Sequence, residues 1–189
     1  MTFRIQKCLE EYLESKRLLF PRFYFLSNDE LLEILAQTRN PLAVQPHLGK
    51  CFDAIKSLEF SNEPKSIDIL AMLSPEGERL PFAKTVKARG NVESWLSNVE
   101  EGMYGTVRRS IRSAILDFER QSREEWILNQ PGQTVLAVSQ LLWCREVTEC
   151  LKSKQVMSSL QKFKEKSITV SDIISTTIID AFLIFKFRI

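Results

Sequence analysis

The sequence is poor in the residues on which active-site chemistry depends. A single histidine, His47, and four cysteines, Cys8, Cys51, Cys144 and Cys150, are spread over 189 residues. No pair of cysteines stands in C-x-x-C spacing, so neither a redox motif nor a tetrahedral metal-ligand set is written in the chain, and the thiols read as reduced ones in a cytosolic compartment. Histidine catalysis needs an oriented acid or nucleophile nearby, and nothing flanking His47 supplies one, which favours a structural role. Glycine is scarce too, with six residues. The one Gly-Lys pair, Gly49-Lys50, has Val44 where a phosphate-binding loop needs its first glycine and Cys51 where it needs Ser or Thr. No catalytic, cofactor-binding or metal-binding residue is therefore assigned. Lys+Arg of 26 against Asp+Glu of 24 leaves a net charge of +2, too little to announce a nucleic-acid or membrane partner by its field. Asn-x-Ser/Thr sequons and the basic-then-apolar pattern of a signal peptide are absent. The apolar run Ala181 to Phe185 falls far short of the roughly 20 residues that a membrane-spanning helix needs.

What is present is architecture. Around the stretch Phe20 to Leu35 the rest of the chain is organised. Its first half, Phe20-Pro21-Arg22-Phe23-Tyr24-Phe25, groups four aromatics about a proline, which reads as a short extended or turn segment buried between helices. Ser27 then stands three residues before Glu30, the spacing of a capping box, and Leu31, Leu32 and Leu35 form the apolar stripe of the helix it opens. Upstream, Ile5, Leu9, Tyr12 and Leu13 predict an amphipathic helix over residues 3–18.

Downstream, Asn40-Pro41 marks a turn, and Pro46 breaks a short helical pattern that resumes through Leu48, Phe52 and Ile55. Between Ser57 and Phe82 the period drops to two, with Leu58, Phe60, Ile67, Ile69, Ala71 and Leu73 facing inward and Ser74-Pro75-Glu76-Gly77 as the turn. The longest helical pattern follows Gly90-Asn91 and runs about 27 residues, from Val92 through Trp95, Leu96 and Val99 to Phe118, roughly 40 Å at 1.5 Å per residue. Gly102 and Gly105 inside it favour close packing over a hinge. Trp126 and Ile127 prolong that helix or begin another, Pro131-Gly132 ends it, and a further helix from Thr134 carries Val135, Val138, Leu142, Val147 and Leu151, with Leu136 and Trp143 widening its buried arc. Trp95, Trp126 and Trp143 all read as core. The basic residues Arg108, Arg109 and Arg112 read as a solvated helix face. The fold class is mostly α, a helical bundle with one small antiparallel β-hairpin insertion near residues 57–82. Residues 1–152 form its body, and 153–189 form an appended tail with weak or strand-like structure.

The segment Pro21-Arg22-Phe23-Tyr24-Phe25-Leu26-Ser27 with Glu30 to Leu35 resembles the linker region of dynein heavy chains. Ala43 to Leu48, Lys50-Cys51-Phe52, Met72 to Glu78, Gly90 to Leu96 and Pro131-Gly132-Gln133 are similar in the same order, and Thr38 to Pro41 with Val44 to Leu48 look like the axonemal branch. The likeness runs from about Lys7 to Leu151. It implies a structural core built on Phe20, Pro21, Phe23, Tyr24, Phe25, Leu31, Leu32, Leu35, Trp95 and Leu96. It also implies a mechanical arm that couples an ATP-driven AAA+ ring to movement along microtubules in the cilium axoneme. The chain looks like a truncated or alternatively spliced piece of that arm. ATP and Mg, the AAA+ ring, dynein intermediate or light chains and microtubules would then be reached only through the full-length motor, and the chain itself would be no enzyme. The other expectation is an independent helical module that binds dynein subunits or other proteins. Neither nucleic acid nor membrane is expected as a partner.

Overall fold

The computed structural model describes residues 2–37, 40–61 and 67–169. They divide into two compact units, Met1–Thr106 and Val107–Ile189. The boundary between them falls within the helix Val92–Asp117.

In the first unit, helix α1 (Thr2–Leu19) delivers the chain into a 3-10 turn at Pro21–Phe25 and then into α2 (Asn28–Ala36). The predicted capping box is formed: the Glu30 amide donates to Ser27 Oγ at 3.3 Å and the Ser27 amide to Glu30 Oε2 at 3.0 Å. The aromatic stretch is helical rather than extended, and its period decides what it buries. With three residues per turn, Phe20, Phe23 and Leu26 stack on one side. All three are buried, and the Phe20 and Phe23 rings meet edge to face with centroids 4.9 Å apart.

Pro21 falls on the outer side and is exposed, as are Tyr24 at 52% and Phe25 at 69%, so three of the ten residues expected in the core lie outside it. Phe20, Phe23, Leu31, Trp95 and Leu96 are buried in one cluster, with Leu32 and Leu35 packed against it half-buried. The predicted apolar face of α1 is likewise mostly open: Leu13 is buried, whereas Ile5, Leu9 and Tyr12 are exposed.

Proline splits the next helical pattern into a 3-10 segment, Pro41–His47, and the single turn α3 (Leu48–Cys51). Strands β1 (Ser57–Phe60), β2 (Asp68–Leu73) and β3 (Arg79–Lys87) form an antiparallel sheet in that order. The turn after β2 uses Gly77 at φ +90, whose amide donates to Ser74 O at 3.1 Å, a three-residue loop closed by a left-handed glycine. Gln45 covers the outer edge of β1, donating to Leu58 O at 2.6 Å and accepting from the Leu58 amide at 3.0 Å. The β2–β3 register slips between Ile69 and Ala71, so the residues between Pro81 and Val86 bulge from the ladder. There Phe82 and Val86 press on helix α4 (Val92–Asp117), whose extent is close to the predicted one. A Cβ placed on Gly102 would lie 3.0 Å from Val86 Cγ2 and 3.2 Å from the Phe82 ring, whereas one on Gly105 would meet nothing within 4 Å. Close packing therefore accounts for Gly102 and not for Gly105.

In the second unit, α5 (Arg123–Asn129) is a separate helix capped by Ser122, and α6 (Gly132–Lys152) begins directly after Pro131. A further helix, α7 (156–169), occupies the first part of what the sequence suggested to be a weakly structured tail. It is held to α6 by Lys166, which donates to Glu146 Oε2 at 2.9 Å, and by Trp143 beside Phe163 with ring centroids 6.3 Å apart. The rest of that tail, with the Ala181 to Phe185 run, lies outside the described residues. Trp126 is fully buried and donates from Nε1 to Ala114 O at 2.8 Å. Trp143, expected in the core, is 54% exposed, and Leu136 and Leu151 are exposed with it, because α7 covers only part of α6. No helix among the described residues is long and apolar enough to cross a membrane.

Candidate functional site

The side chains that join distant parts of the first unit are charged. Lys16, near the end of α1, donates to Glu93 Oε1 at 2.6 Å, with 16% and 4% of the two side chains left accessible. Its ammonium is held protonated above the usual lysine range, mainly by that hydrogen bond and against the opposing effect of burial. Six residues later, Arg22 donates from Nε to Glu100 Oε1 at 2.9 Å and from Nη1 to Cys51 O at 2.8 Å. Its guanidinium also lies over the Phe52 ring, 4.7 Å from the centroid. Glu93 and Glu100 are seven residues apart on α4 and so share a face. The aromatic turn is thus bracketed by two cations locked to one helix. On its other flank Arg17 donates from Nη2 to Asn28 Oδ1 at 2.7 Å and to Leu26 O at 3.3 Å.

The only histidine is buried against α2. His47 Nε2 lies 3.5 Å from Glu33 Oε2 and Nδ1 lies 3.8 Å from Glu30 Oε1. Lys50 donates to Glu30 Oε1 at 2.5 Å. That bond, with the Ser27 amide, holds the Glu30 carboxyl down at about 2. The residues around Gly49-Lys50 are taken up by the 3-10 segment and α3, with Val44 and Cys51 buried. Burial pushes the Cys51 thiol up to about 11, which makes it unreactive near neutral pH. Among the described residues, no group of three or more His, Cys, Asp or Glu is placed to hold a metal ion.

In the second unit Arg123 is the corresponding pin. Its guanidinium sits 4.6 Å from the centroids of both Phe118 and Trp126, and Nη2 donates to Ser139 Oγ at 2.8 Å. The Nε and Nη1 donors are buried with no hydrogen-bond acceptor, so the two aromatic faces carry that charge. Desolvation lowers its pKa from the usual arginine value.

These arrangements hold parts of each unit together. The long-range pairs escape reading from sequence because Lys16 and Glu93 stand 77 residues apart and Arg22 and Glu100 stand 78 apart. The motif residues nearest to them, Phe20 and Phe23, are visible beforehand as part of the aromatic cluster about Pro21.

Comparison with known proteins follows the same residues. Residues 2–114 match the family model described as dynein heavy chain, N-terminal region 2. The chain is 57% identical over 168 residues to human dynein axonemal heavy chain 6, covering 80% of this chain and 4% of that protein. It is 45% identical over 173 residues to mouse dynein axonemal heavy chain 3, covering 90% of this chain and 4% of that protein. With mouse dynein axonemal heavy chain 12 it shares 46% over 175 residues, covering 90% of this chain and 6% of that protein. A match over 90% of the chain is longer than residues 1–152, so the likeness reaches into the segment expected to be unmatched. The chain spans about one twentieth of the length of these relatives. On the family match across its first unit and on identities of this size, the chain belongs to the axonemal dynein heavy chain family.

Proposed function

We propose that this chain is a piece of the mechanical linker of an axonemal dynein heavy chain, a part that couples ATP-driven changes in the AAA+ ring to movement along microtubules and holds no ATPase site of its own. The observation that carries this reading is the coincidence of the family match, residues 2–114, with the unit in which Lys16–Glu93 and Arg22–Glu100 tie α1 and the aromatic turn to α4. An arm transmits force only if its helices do not slide over one another. A pair largely shielded from water, as Lys16–Glu93 is, resists sliding because separating it leaves a charge without a partner. ATP and Mg, in this reading, act elsewhere in the motor. The ring is the direct partner, intermediate or light chains and microtubules are reached only through the whole motor, and the place of action is the cytoplasm of the cilium, at the axoneme.

A second reading, an independent helical module that binds other proteins, is favoured by one observation: Tyr24, Phe25 and Trp143 are all more than half exposed. Pull-down of ring-containing axonemal heavy chain by the full chain separates the two. Specific capture of the ring supports the linker, and capture of other proteins alone supports the module. Calorimetric titration with MgATP is expected to give no saturable heat, and a saturable one would overturn the assignment of a chain without a nucleotide site.

A further inference from the structure

Helix α1 carries an apolar strip that folding of its own unit leaves open. Ile5, Leu9 and Tyr12 follow at steps of four and three and so share one side of the helix, where Ile5 is 66% and Tyr12 46% accessible. Leu13, on the neighbouring side, is the residue of α1 that enters the core. An exposed apolar side repeating every three to four residues is the surface on which a second helix packs.

The charges bordering the strip say which helix. At 100° per residue, Arg4 and Glu11 both flank it on the side away from Leu13, seven positions apart, and both are exposed. Glu11 also pairs with Lys7 at 3.8 Å within α1, but both side chains stand in solvent, so that contact contributes little and leaves the carboxylate able to turn. A parallel partner of the same sequence would set Arg4 against Arg4. An antiparallel one, with its two-fold axis near Cys8, sets Arg4 of each copy beside the partner's Glu11 and Ile5 beside the partner's Tyr12, so that each contact is made twice. It also opposes the two helix dipoles. The strip and its border are therefore complementary to themselves.

We propose that this chain self-associates through α1, two copies packing antiparallel along Ile5, Leu9 and Tyr12 with an Arg4–Glu11 ion pair on either side of the axis. Three apolar side chains from each copy make a small interface, so the dimer is weak and depends on concentration. The pairing does not rest on the linker reading, and the outcomes below leave that reading where it stands.

Sedimentation velocity of the full chain over a concentration series tests this. The parent chain is expected to move from monomer at low micromolar toward dimer at high micromolar concentration. Ile5→Asp is expected to stay monomeric with its α-helical circular dichroism unchanged. Arg4→Glu is expected to weaken association about tenfold, and Arg4→Glu/Glu11→Arg, which exchanges the two charges, to recover it to within about twofold. A short bis-maleimide is expected to join two copies through the exposed Cys8 in a Cys144→Ser/Cys150→Ser background, Cys51 being buried. A parent chain that stays monomeric throughout would leave the strip to some other partner and overturn the proposal. So would association that survives Ile5→Asp, which places the contact elsewhere, or association that the charge exchange fails to restore.

Discussion

The first unit gathers twenty buried hydrophobic side chains into one cluster, from Leu13 to Val99, whereas the second has four, Ala114, Trp126, Val138 and Leu142, among the described residues. The first is also crossed by ion pairs between residues almost eighty positions apart, while in the second Lys166 pairs with Glu146 on the consecutive helix. The contrast is one of contact range. In the first unit, α1, the aromatic turn, the sheet and α4 each meet partners remote in sequence, so loss of one side chain is spread over many neighbours. The second is built of helices that meet partners within about thirty residues, and its few buried residues each carry a large share of the core.

The most severe test of that contrast is Trp126→Ala. Truncating a buried tryptophan costs about 3–5 kcal/mol, and here it also leaves Arg123 without one of its two aromatic faces. Hydrogen exchange is expected to show protection lost across α5 and α6 and kept in α2 and β2. Loss in α2 and β2 as well would mean that the two units open together. Next in size is Glu93→Gln, which strips the partly buried Lys16 of its carboxylate and is expected to lower the unfolding free energy in urea by about 1–2 kcal/mol. The apolar double replacement Lys16→Met/Glu93→Leu is expected to recover most of it; failure to do so would move the pair's contribution from charge to packing.

A pair of glycine replacements sharpens the packing argument within a single helix. Gly105→Ala is expected to raise stability by up to about 1 kcal/mol through helix propensity alone. Gly102→Ala forfeits that gain, because overpacking against Val86 and Phe82 costs roughly 1–3 kcal/mol, so its net effect is a loss. Thermal unfolding that gave both variants the same sign would contradict the close β3–α4 contact. The smallest effect concerns Glu30. Its carboxyl, held at about 2 against an ordinary value of 4.5, contributes stability that is complete above pH 4.5 and is lost as the pH falls toward 2. Acid titration of the unfolding midpoint is expected to show that slope in the parent chain and a flatter one in Lys50→Met.

Much of the fold was legible from local patterns. The Ser27–Glu30 box, the turn at Gly77, the three strand segments and the span of α4 follow from capping chemistry, glycine conformation and side-chain period, all of which act within a few residues. The errors have a common origin as well. Tyr24 and Phe25 read as core because they are aromatic, yet a 3-10 turn has only one inward side, and Phe20, Phe23 and Leu26 fill it. Trp143 and Leu136 widen the apolar arc of α6 as the sequence suggests, but an arc is buried only as far as a neighbouring helix covers it.

The amino-acid order alone determined the cap at Ser27, the turn at Gly77 and the span of α4, which family motif the chain carries, and that Val44 and Cys51 stand where a phosphate loop around Gly49-Lys50 needs Gly and Ser or Thr, because each depends on neighbours along the chain. Tertiary structure alone decided that Lys16 meets Glu93, that Arg22 joins Glu100 to the Cys51 carbonyl, that Gln45 closes the edge of β1 and that Gly102 is pressed by Phe82. Pairing of that kind depends on which surfaces fold against each other, and the energy of a charge or a missing methyl is set by what surrounds it in space.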